Sequence, residues 1–105
     1  METIGRVQAR DRILYVLIDE TLEPVYGAVQ GGHAVAQWLI DNEGKKFCWR
    51  NNTLVYLKCN ILKYKTYFDM KKISYSYWRE PDLDNRISAI ALEYSGSKLK
   101  GLKPL

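Results

Sequence analysis

The sequence predicts an α/β fold, a three-layer α/β/α sandwich around a four-stranded mixed sheet. Apolar segments of strand length alternate with two segments whose apolar residues recur at the 3.6-residue period of a helix, in the order β-α-β-α-β-β. The first segment, residues 13–18, is apolar without interruption, which is typical of a central strand covered on both faces. Because helices join the first three strands, we expect these strands to be parallel.

The first helix is predicted to follow directly after the first strand. That strand ends at Asp19 and Glu20, and the helix begins near Pro24, because the first turn of a helix does not need the missing proline N–H. The helix ends near Asn42, and Gly44 can adopt the positive φ that terminates it. Its predicted core stripe has helical spacing. This stripe consists of Val25, Val29, Gly32, Ala36, Leu39 and Ile40.

The remaining elements follow a polar, basic connection over residues 45–53. A second strand covers residues 54–57, and Asn60 can cap a second helix that runs from Ile61 to about Lys72. We expect Ile61, Tyr64 and Phe68 to form its core stripe. The last predicted elements are a strand over residues 74–79, an acidic turn over 80–85 and a strand over 87–92, where the last two strands form a hairpin or cross between non-adjacent positions.

The composition indicates one domain over residues 1–105. We expect residues 1–11 to be a loose or edge-pairing leader, and residues 95–105 to be a basic tail that is poorly ordered unless it docks. With no apolar run of membrane-spanning length and no signal-peptide pattern, the expected location is the cytoplasm. Cys48 and Cys59 are expected to be reduced thiols, and their spacing with one histidine matches no zinc site. No metal or other cofactor is predicted.

The charge is divided unevenly along the chain. Residues 1–44 carry three basic and seven acidic side chains, whereas residues 45–105 carry thirteen basic and five acidic ones. A basic half of this size favours an anionic partner, and nucleic acid is a common one. A lysine-rich solvated surface explains the same composition equally well.

The only histidine, His33, lies on the first predicted helix. Tyr26, Gln30, His33 and Gln37 have spacings of four, three and four, so they form one polar row. Beside it lies a row with almost no side chain, made of Gly27, Gly31 and Ala34. Such a surface suits close approach by a large ligand or by another backbone. A lone histidine on a small-residue helix is, by itself, more often structural than functional.

Carboxylates cluster where two predicted strands end. Asp19 and Glu20 follow the first strand. If the third strand is parallel to the first, the residues of the acidic turn reach the same edge of the sheet. Ligands bind at this edge in open α/β folds. Carboxylates beside a neutral imidazole can position and deprotonate a water. Asp and Asn also favour turns for purely local reasons. The groups after the third strand are Arg79, Glu80, Asp82 and Asp84.

The helix segment Ala-Val-Gln-Gly-Gly-His-Ala, residues 28–34, resembles the type II peptidyl-tRNA hydrolase family, whose signature is Gly-Lys-x-Ala-Ala-Gln-x-x-His-Ala. Ala28, Gln30, His33 and Ala34 match it at the right spacing. Residues 77–85 are similar to the family's Asp-Ala-Gly-x-Thr region, where an acidic residue precedes a turn and a final strand. The resemblance covers roughly residues 12–93.

This resemblance implies metal-free hydrolysis of the ester that joins a peptide to the 3′ ribose of tRNA. It implies catalytic roles for His33, Glu80 and Asp82, with Glu80 as the best match to the family's acid. Tyr26 stands where the family has a lysine, and the family's glycine and threonine after the acid are absent, with Asp82 and Asp84 near their places. The implied substrate-binding residues are Tyr26, Gln30, Gly31 and Asp84.

The charge distribution is compatible with a tRNA partner, since basic side chains can bind phosphates without reading bases. One alternative is a tRNA- or RNA-binding protein of the same fold without catalysis. Another is a protein-interaction module, a homodimer included, that uses the glycine row to pack a helix. The candidate phosphate contacts are Lys45, Lys46, Arg50, Lys63 and Lys65, with Lys71 and Lys72 nearby.

Overall fold

The structure, a computed structural model, describes residues 13–105, so the predicted leader over residues 1–11 lies outside the described part. The fold is α/β with a mixed sheet, as predicted. The sheet has five strands in the order β3-β4-β1-β2-β5, so the expected count of four was wrong. The elements are β1 (Ile13–Asp19), α1 (Pro24–Asp41), β2 (Thr53–Cys59), α2 (Ile61–Met70), β3 (Ser76–Glu80), a 3₁₀-helix (Pro81–Leu83), β4 (Arg86–Glu93) and β5 (Lys103–Pro104).

The strand directions place three strand ends at one edge of the sheet. β1 and β2 pair in parallel from Ile13↔Thr53 to Asp19↔Cys59. β4 is antiparallel to both β1 and β3, so β3 runs in the direction of β1, as predicted. β3 and β4 are neighbours and form a hairpin. The carboxyl ends of β1, β2 and β3 therefore meet at one edge, which we call the carboxyl edge.

The helix α2 covers one face of the sheet with the predicted side chains. Ile61, Tyr64 and Phe68 are buried in one core cluster with Leu17 of β1 and Ile90 of β4. The Asn60 side chain accepts a hydrogen bond from the Lys63 N–H at 3.2 Å, which is the predicted helix cap. The alternating residues of β1 divide between two clusters, and this places α1 and α2 on opposite faces of the sheet.

The helix α1 packs on the sheet through the opposite stripe from the one predicted. A Cβ on Gly31 would lie 2.5 Å from Tyr56 Cε2, and one on Gly27 would lie 2.8 Å from Ile18 Cγ2. The missing side chains therefore leave room for the Ile18 and Tyr56 side chains directly against the helix backbone. The predicted apolar stripe of Val25, Val29, Gly32, Ala36, Leu39 and Ile40 is exposed. The buried residues of α1 are Gly27, Gln30, Gly31, Ala34 and Trp38.

The C-terminal segment, residues 95–105, docks on the sheet. Leu99 is buried in the α2-side cluster, and β5 pairs antiparallel with β2. The Leu105 N–H donates to the Tyr56 carbonyl at 3.1 Å. Docking adds the fifth strand, which is too short to show a strand pattern in the sequence.

Neither helix in residues 13–105 is both long and apolar enough to span a membrane. Both cysteines are free. Cys48 is exposed and Cys59 is buried. Burial, assisted by the nearby Glu20 and Asp19, raises the pKa of the Cys59 thiol to about 12, which keeps it protonated and unreactive.

Candidate active site at the carboxyl edge

Two of the predicted site residues, Gln30 of α1 and Glu80 of β3, are in direct contact. Gln30 Nε2 donates to Glu80 Oε1 at 2.9 Å, and Ser88 Oγ of β4 donates to Gln30 Oε1 at 2.6 Å. The Gln30 side chain is therefore satisfied at both ends, while only 1% of the residue is exposed. Sequence reasoning missed Ser88, whose only signal was a hydroxyl within an apolar strand.

Hydrogen bonds surround the Glu80 carboxylate. Oε1 also accepts from Trp78 Nε1 at 3.3 Å, and Oε2 accepts from the Asp82 N–H at 3.1 Å. The Asp82 N–H, followed by Gln30 and Trp78, holds the pKa of Glu80 below its usual value, with a smaller effect from His33. A carboxylate stabilised in this way is a weak proton acceptor. Glu80 is therefore better suited to positioning its neighbours than to removing a proton.

His33 lies at the surface next to this network. Its ring stacks on Trp78, with centroids 4.4 Å apart and planes 13° apart. Trp78 thus fixes the plane of the imidazole while its own N–H binds Glu80. Of the predicted polar row, Gln37 bonds to Asp41 and Gln30 is buried, so His33 is the member that presents an exposed ring to a ligand. The place of Trp78 in this network was not predicted from the sequence.

Tyr26 occupies the first position of the row. Burial, followed by the charges of Glu80 and Asp82, raises its pKa, and Arg86 opposes the shift. Tyr26 therefore keeps its hydroxyl proton at neutral pH and can donate a hydrogen bond. The family that the chain resembles has a lysine at this position. Tyr26 therefore offers a neutral hydrogen-bond donor in place of a cation.

Arg86 is a cation that lies at the carboxyl edge. Its Nη2 lies 3.1 Å from Asp19 Oδ2 and 3.3 Å from Thr21 Oγ1. Arg86 was not among the predicted site residues, because it follows the acidic turn and its approach to Asp19 depends on the pairing of β4 with β1. Arg79, which was singled out, donates to the Asn85 carbonyl at 3.1 Å and lies over the Tyr77 ring.

A pocket of about 250 Å³ opens beside Arg86. It lies between the carboxyl ends of β1 and β2, from which the chain leaves toward opposite faces of the sheet. Open α/β sheets bind ligands at such a crevice. Ile61 and Ile87, which belong to the α2-side cluster, line this pocket, so it lies on the opposite face of the sheet from His33 of α1. Its lining residues include Asp19, Glu20, Thr21, Asn60, Arg86 and Ile87.

The conformation of the acidic turn is explained by its own backbone geometry and hydrogen bonding. Asp84 and Asn85 adopt left-handed φ values of 55° and 60°, and the Asn85 N–H donates to the Glu80 carbonyl. Asp82 and Asp84 are exposed at the turn. The conformation of Asp84 is thus explained by turn geometry.

The glycine row, which consists of Gly27, Gly31 and Ala34, packs against other side chains of the protein. Gly31, a predicted substrate contact, is buried against Tyr56 and Ile18. Its role in the structure is to allow close packing of α1, and the same holds for Gly27. The glycine row is therefore available neither to a substrate nor to a partner helix.

The predicted phosphate contacts lie away from His33 in two groups. Lys45, Lys46 and Arg50 follow α1 in the loop that leads to β2, at the edge opposite the carboxyl edge. The Arg50 guanidinium lies over the Phe47 ring and donates to the Phe47 carbonyl at 2.6 Å. Lys63 and Lys65 lie on α2, where Lys65 Nζ pairs with Asp69 Oδ2 at 2.8 Å.

No protein-family model matches the chain, and no curated protein matches it significantly. Within residues 13–105, no group of three or more His, Cys, Asp or Glu side chains is arranged to hold a metal ion.

Proposed function

We propose that this protein is a cytoplasmic hydrolase of the type II peptidyl-tRNA hydrolase kind, which cleaves the ester between a peptide and the 3′ ribose of tRNA. One observation carries the proposal. The two segments that resemble the family, residues 28–34 and 77–85, are joined by the hydrogen bond between Gln30 and Glu80, and His33 stacks beside it on Trp78. Two segments far apart in sequence thus assemble the one exposed imidazole with an anionic carboxylate nearby.

In the proposed reaction, a water attacks the ester carbonyl and His33 accepts its proton. The new bond joins the water oxygen to the carbonyl carbon, the bond to the ribose 3′ oxygen breaks, and the proton passes to that oxygen. The Glu80 carboxylate accepts hydrogen bonds from Gln30 and Trp78, which holds α1 against β3 and positions the His33 ring that stacks on Trp78. Tyr26 and Arg86 are the donors that we assign to the developing oxyanion.

The tRNA body would be bound by the basic side chains outside the catalytic cluster. Lys45, Lys46 and Arg50 form one group, and Lys63 and Lys65 form another on the α2 face. Because these groups are separate, a single tRNA need not engage both. Contacts with phosphates alone weaken steeply as the salt concentration rises and carry little sequence preference.

The decisive experiment measures the release of free tRNA from peptidyl-tRNA. The wild-type protein is expected to deacylate the substrate, and His33→Ala is expected to slow the reaction by about 10²-fold or more. Gln37→Ala is the matched control, because Gln37 lies one turn further along the same row and bonds only to Asp41 within the described residues. An absence of turnover at high wild-type enzyme concentration would refute the enzymatic proposal.

The second candidate is a tRNA-binding protein of this fold that does not cleave the ester. Two observations favour it: a neutral phenol stands where the family has a cation, and the lowered pKa of Glu80 makes it a weak base. Salt-dependent binding of uncharged tRNA by the same preparation, together with an intact ester after incubation, would establish this alternative. A module that docks partners through the glycine row has no support, because that row packs on the sheet.

A further inference from the structure

One face of α1 is apolar, exposed and uncharged. Between Pro24 and Ile40 the helix contains no Lys, Arg, Asp or Glu, in a chain of which 27% of the residues are charged. Val25, Val29, Leu39 and Ile40 are 80%, 53%, 47% and 65% exposed. We call this stripe the outer face of α1. It consists of Val25, Ala28, Val29, Gly32, Ala36, Leu39 and Ile40.

The outer face is large enough to act as an interface. Its four large side chains expose on the order of 400 Å² together, which is the size of the largest apolar patch on a typical monomer, and such a patch is often functional. Two such faces in contact would bury roughly 800 Å² from these side chains, to which Ala28, Gly32 and Ala36 add, and this lies at the low end of interface sizes. The area therefore suits a weak, reversible association.

The pattern of the outer face is nearly symmetric about Gly32. Ala28 and Ala36 lie four residues to either side, while Val25 and Leu39 lie seven residues to either side. An antiparallel copy of the helix would therefore bring small residues together at the crossing point and large apolar residues together near both ends. A Cβ on Gly32 would meet nothing within 4 Å, so the crossing point is open. Such self-complementarity is what a two-fold symmetric interface requires.

The charges around the outer face argue against other occupants. Glu23 precedes α1, while Asp41 and Glu43 follow it, and acidic flanks disfavour both nucleic acid and an anionic membrane surface. The Asp41 carboxylate accepts hydrogen bonds from Gln37 and from Ser76 Oγ, at 2.8 and 2.6 Å. It is thus directed toward β3 rather than toward a second copy of the helix.

From this geometry we infer that the protein forms a two-fold symmetric homodimer in which the outer faces of two α1 helices cross antiparallel at Gly32. The inference is independent of the proposed function, since it uses none of the residues of the catalytic cluster. His33 flanks the outer face and stays at its margin.

Sedimentation equilibrium over a range of concentrations tests the dimer. The wild-type chain is expected to change from monomer to dimer as its concentration rises, whereas Val29→Lys is expected to remain monomeric with an unchanged thermal midpoint at high dilution. Leu62→Lys is the matched control, because Leu62 is 67% exposed on α2, on the other face of the sheet, and it should dimerise like wild type. A monomeric wild type, or a dimeric Val29→Lys, would overturn the inference.

Disulfide trapping tests the antiparallel crossing. In a Cys48→Ser background, Gly32→Cys is expected to give covalent dimers on mild oxidation, and Leu62→Cys is not. Mixing Val25→Cys with Leu39→Cys should give more mixed dimers than either variant gives alone with itself. If each of these two variants forms covalent dimers mainly with itself, the helices cross in parallel, which contradicts the proposed arrangement. If residues 1–12 cover this face, Gly32→Cys would resist both oxidation and alkylation, which would also overturn the inference.

Discussion

Gln30 and Glu80 show how a surface pattern on a helix can become a buried network. The sequence predicted that both residues lie at one edge of the sheet, and they do. Their hydrogen-bond partners were not predictable, because Ser88 and Trp78 approach Gln30 and Glu80 only through the β3–β4 pairing. No buried side-chain nitrogen or oxygen within the described residues lacks a partner. The network therefore specifies how α1 sits on the sheet, since a misplaced helix would leave these groups unpaired.

The lowered pKa of Glu80 predicts a pH dependence of stability. A carboxyl whose folded pKa lies below its ordinary value of 4.5 stabilises the fold fully above that value. The contribution is lost as the pH falls through the lowered folded pKa. We therefore expect Glu80→Gln to be less stable than wild type at pH 7, and the difference in free energy of unfolding to shrink below about pH 4.5. Urea titrations at a series of pH values measure it.

A second acidic group must be separated from this effect. Lys65 and Tyr75 lower the pKa of Asp69, so the stability of the wild-type protein falls in the same acid range for two reasons. Asp69→Asn is the control, and it should leave the Glu80-dependent difference intact. A difference between wild type and Glu80→Gln that stays constant from pH 7 to pH 3 would contradict the assignment.

At the scale of the element, α1 illustrates why helical periodicity alone did not identify the buried face. Two stripes with the same period lie on opposite sides of this helix, and hydrophobicity favours the one that the structure exposes. The glycine row is buried because a helix without side chains on one stripe can approach the sheet closely. Near the C-terminal end of α1, Trp38 fills the space by packing on Phe47 and Trp49. By contrast, α2 has one apolar stripe and was predicted correctly.

Two neighbouring glycines provide a direct test of this packing. Gly31→Ala is expected to destabilise the fold by about 1–3 kcal/mol, because its Cβ would overlap Tyr56 and Ile18. Gly32→Ala, in open space, is expected to be more stable than wild type by about 0.5–1 kcal/mol, since alanine favours the helix. Urea unfolding at high dilution excludes any contribution from self-association. Equal effects of the two substitutions would mean that the glycine row is not the packed face.

At the scale of the whole molecule, the order of elements and the directions of the strands followed from the sequence. Long apolar segments and the two helical connections determine β1, β2 and their parallel pairing. The position of β4 beside β1 was not determined, because local pattern does not specify which strands become neighbours. Local pattern likewise did not determine the place of residues 95–105 beside β2. That place depends on the packing of Leu99 and Leu102 against the α2-side core cluster.

Leu99 tests whether the C-terminal segment is an integral part of the fold. Leu99 is 7% exposed, so Leu99→Ala is expected to destabilise the protein by about 2–5 kcal/mol. Leu62→Ala, at an exposed position on α2, should stay within about 0.5 kcal/mol of wild type. Thermal unfolding followed by circular dichroism compares them. A neutral Leu99→Ala would show that the segment docks without contributing to stability.

The two outermost strands of the sheet also affect how copies of this protein can associate. Among the described strands, β3 is five residues long, has a register shift between Trp78 and Arg79, and is followed by Pro81. β5 is two residues long and ends in Pro104. Short, irregular strands next to proline are poor templates for the addition of another strand, so continuous strand-to-strand growth into fibrils is disfavoured. Concentrated solutions should therefore contain closed, finite assemblies rather than open polymers.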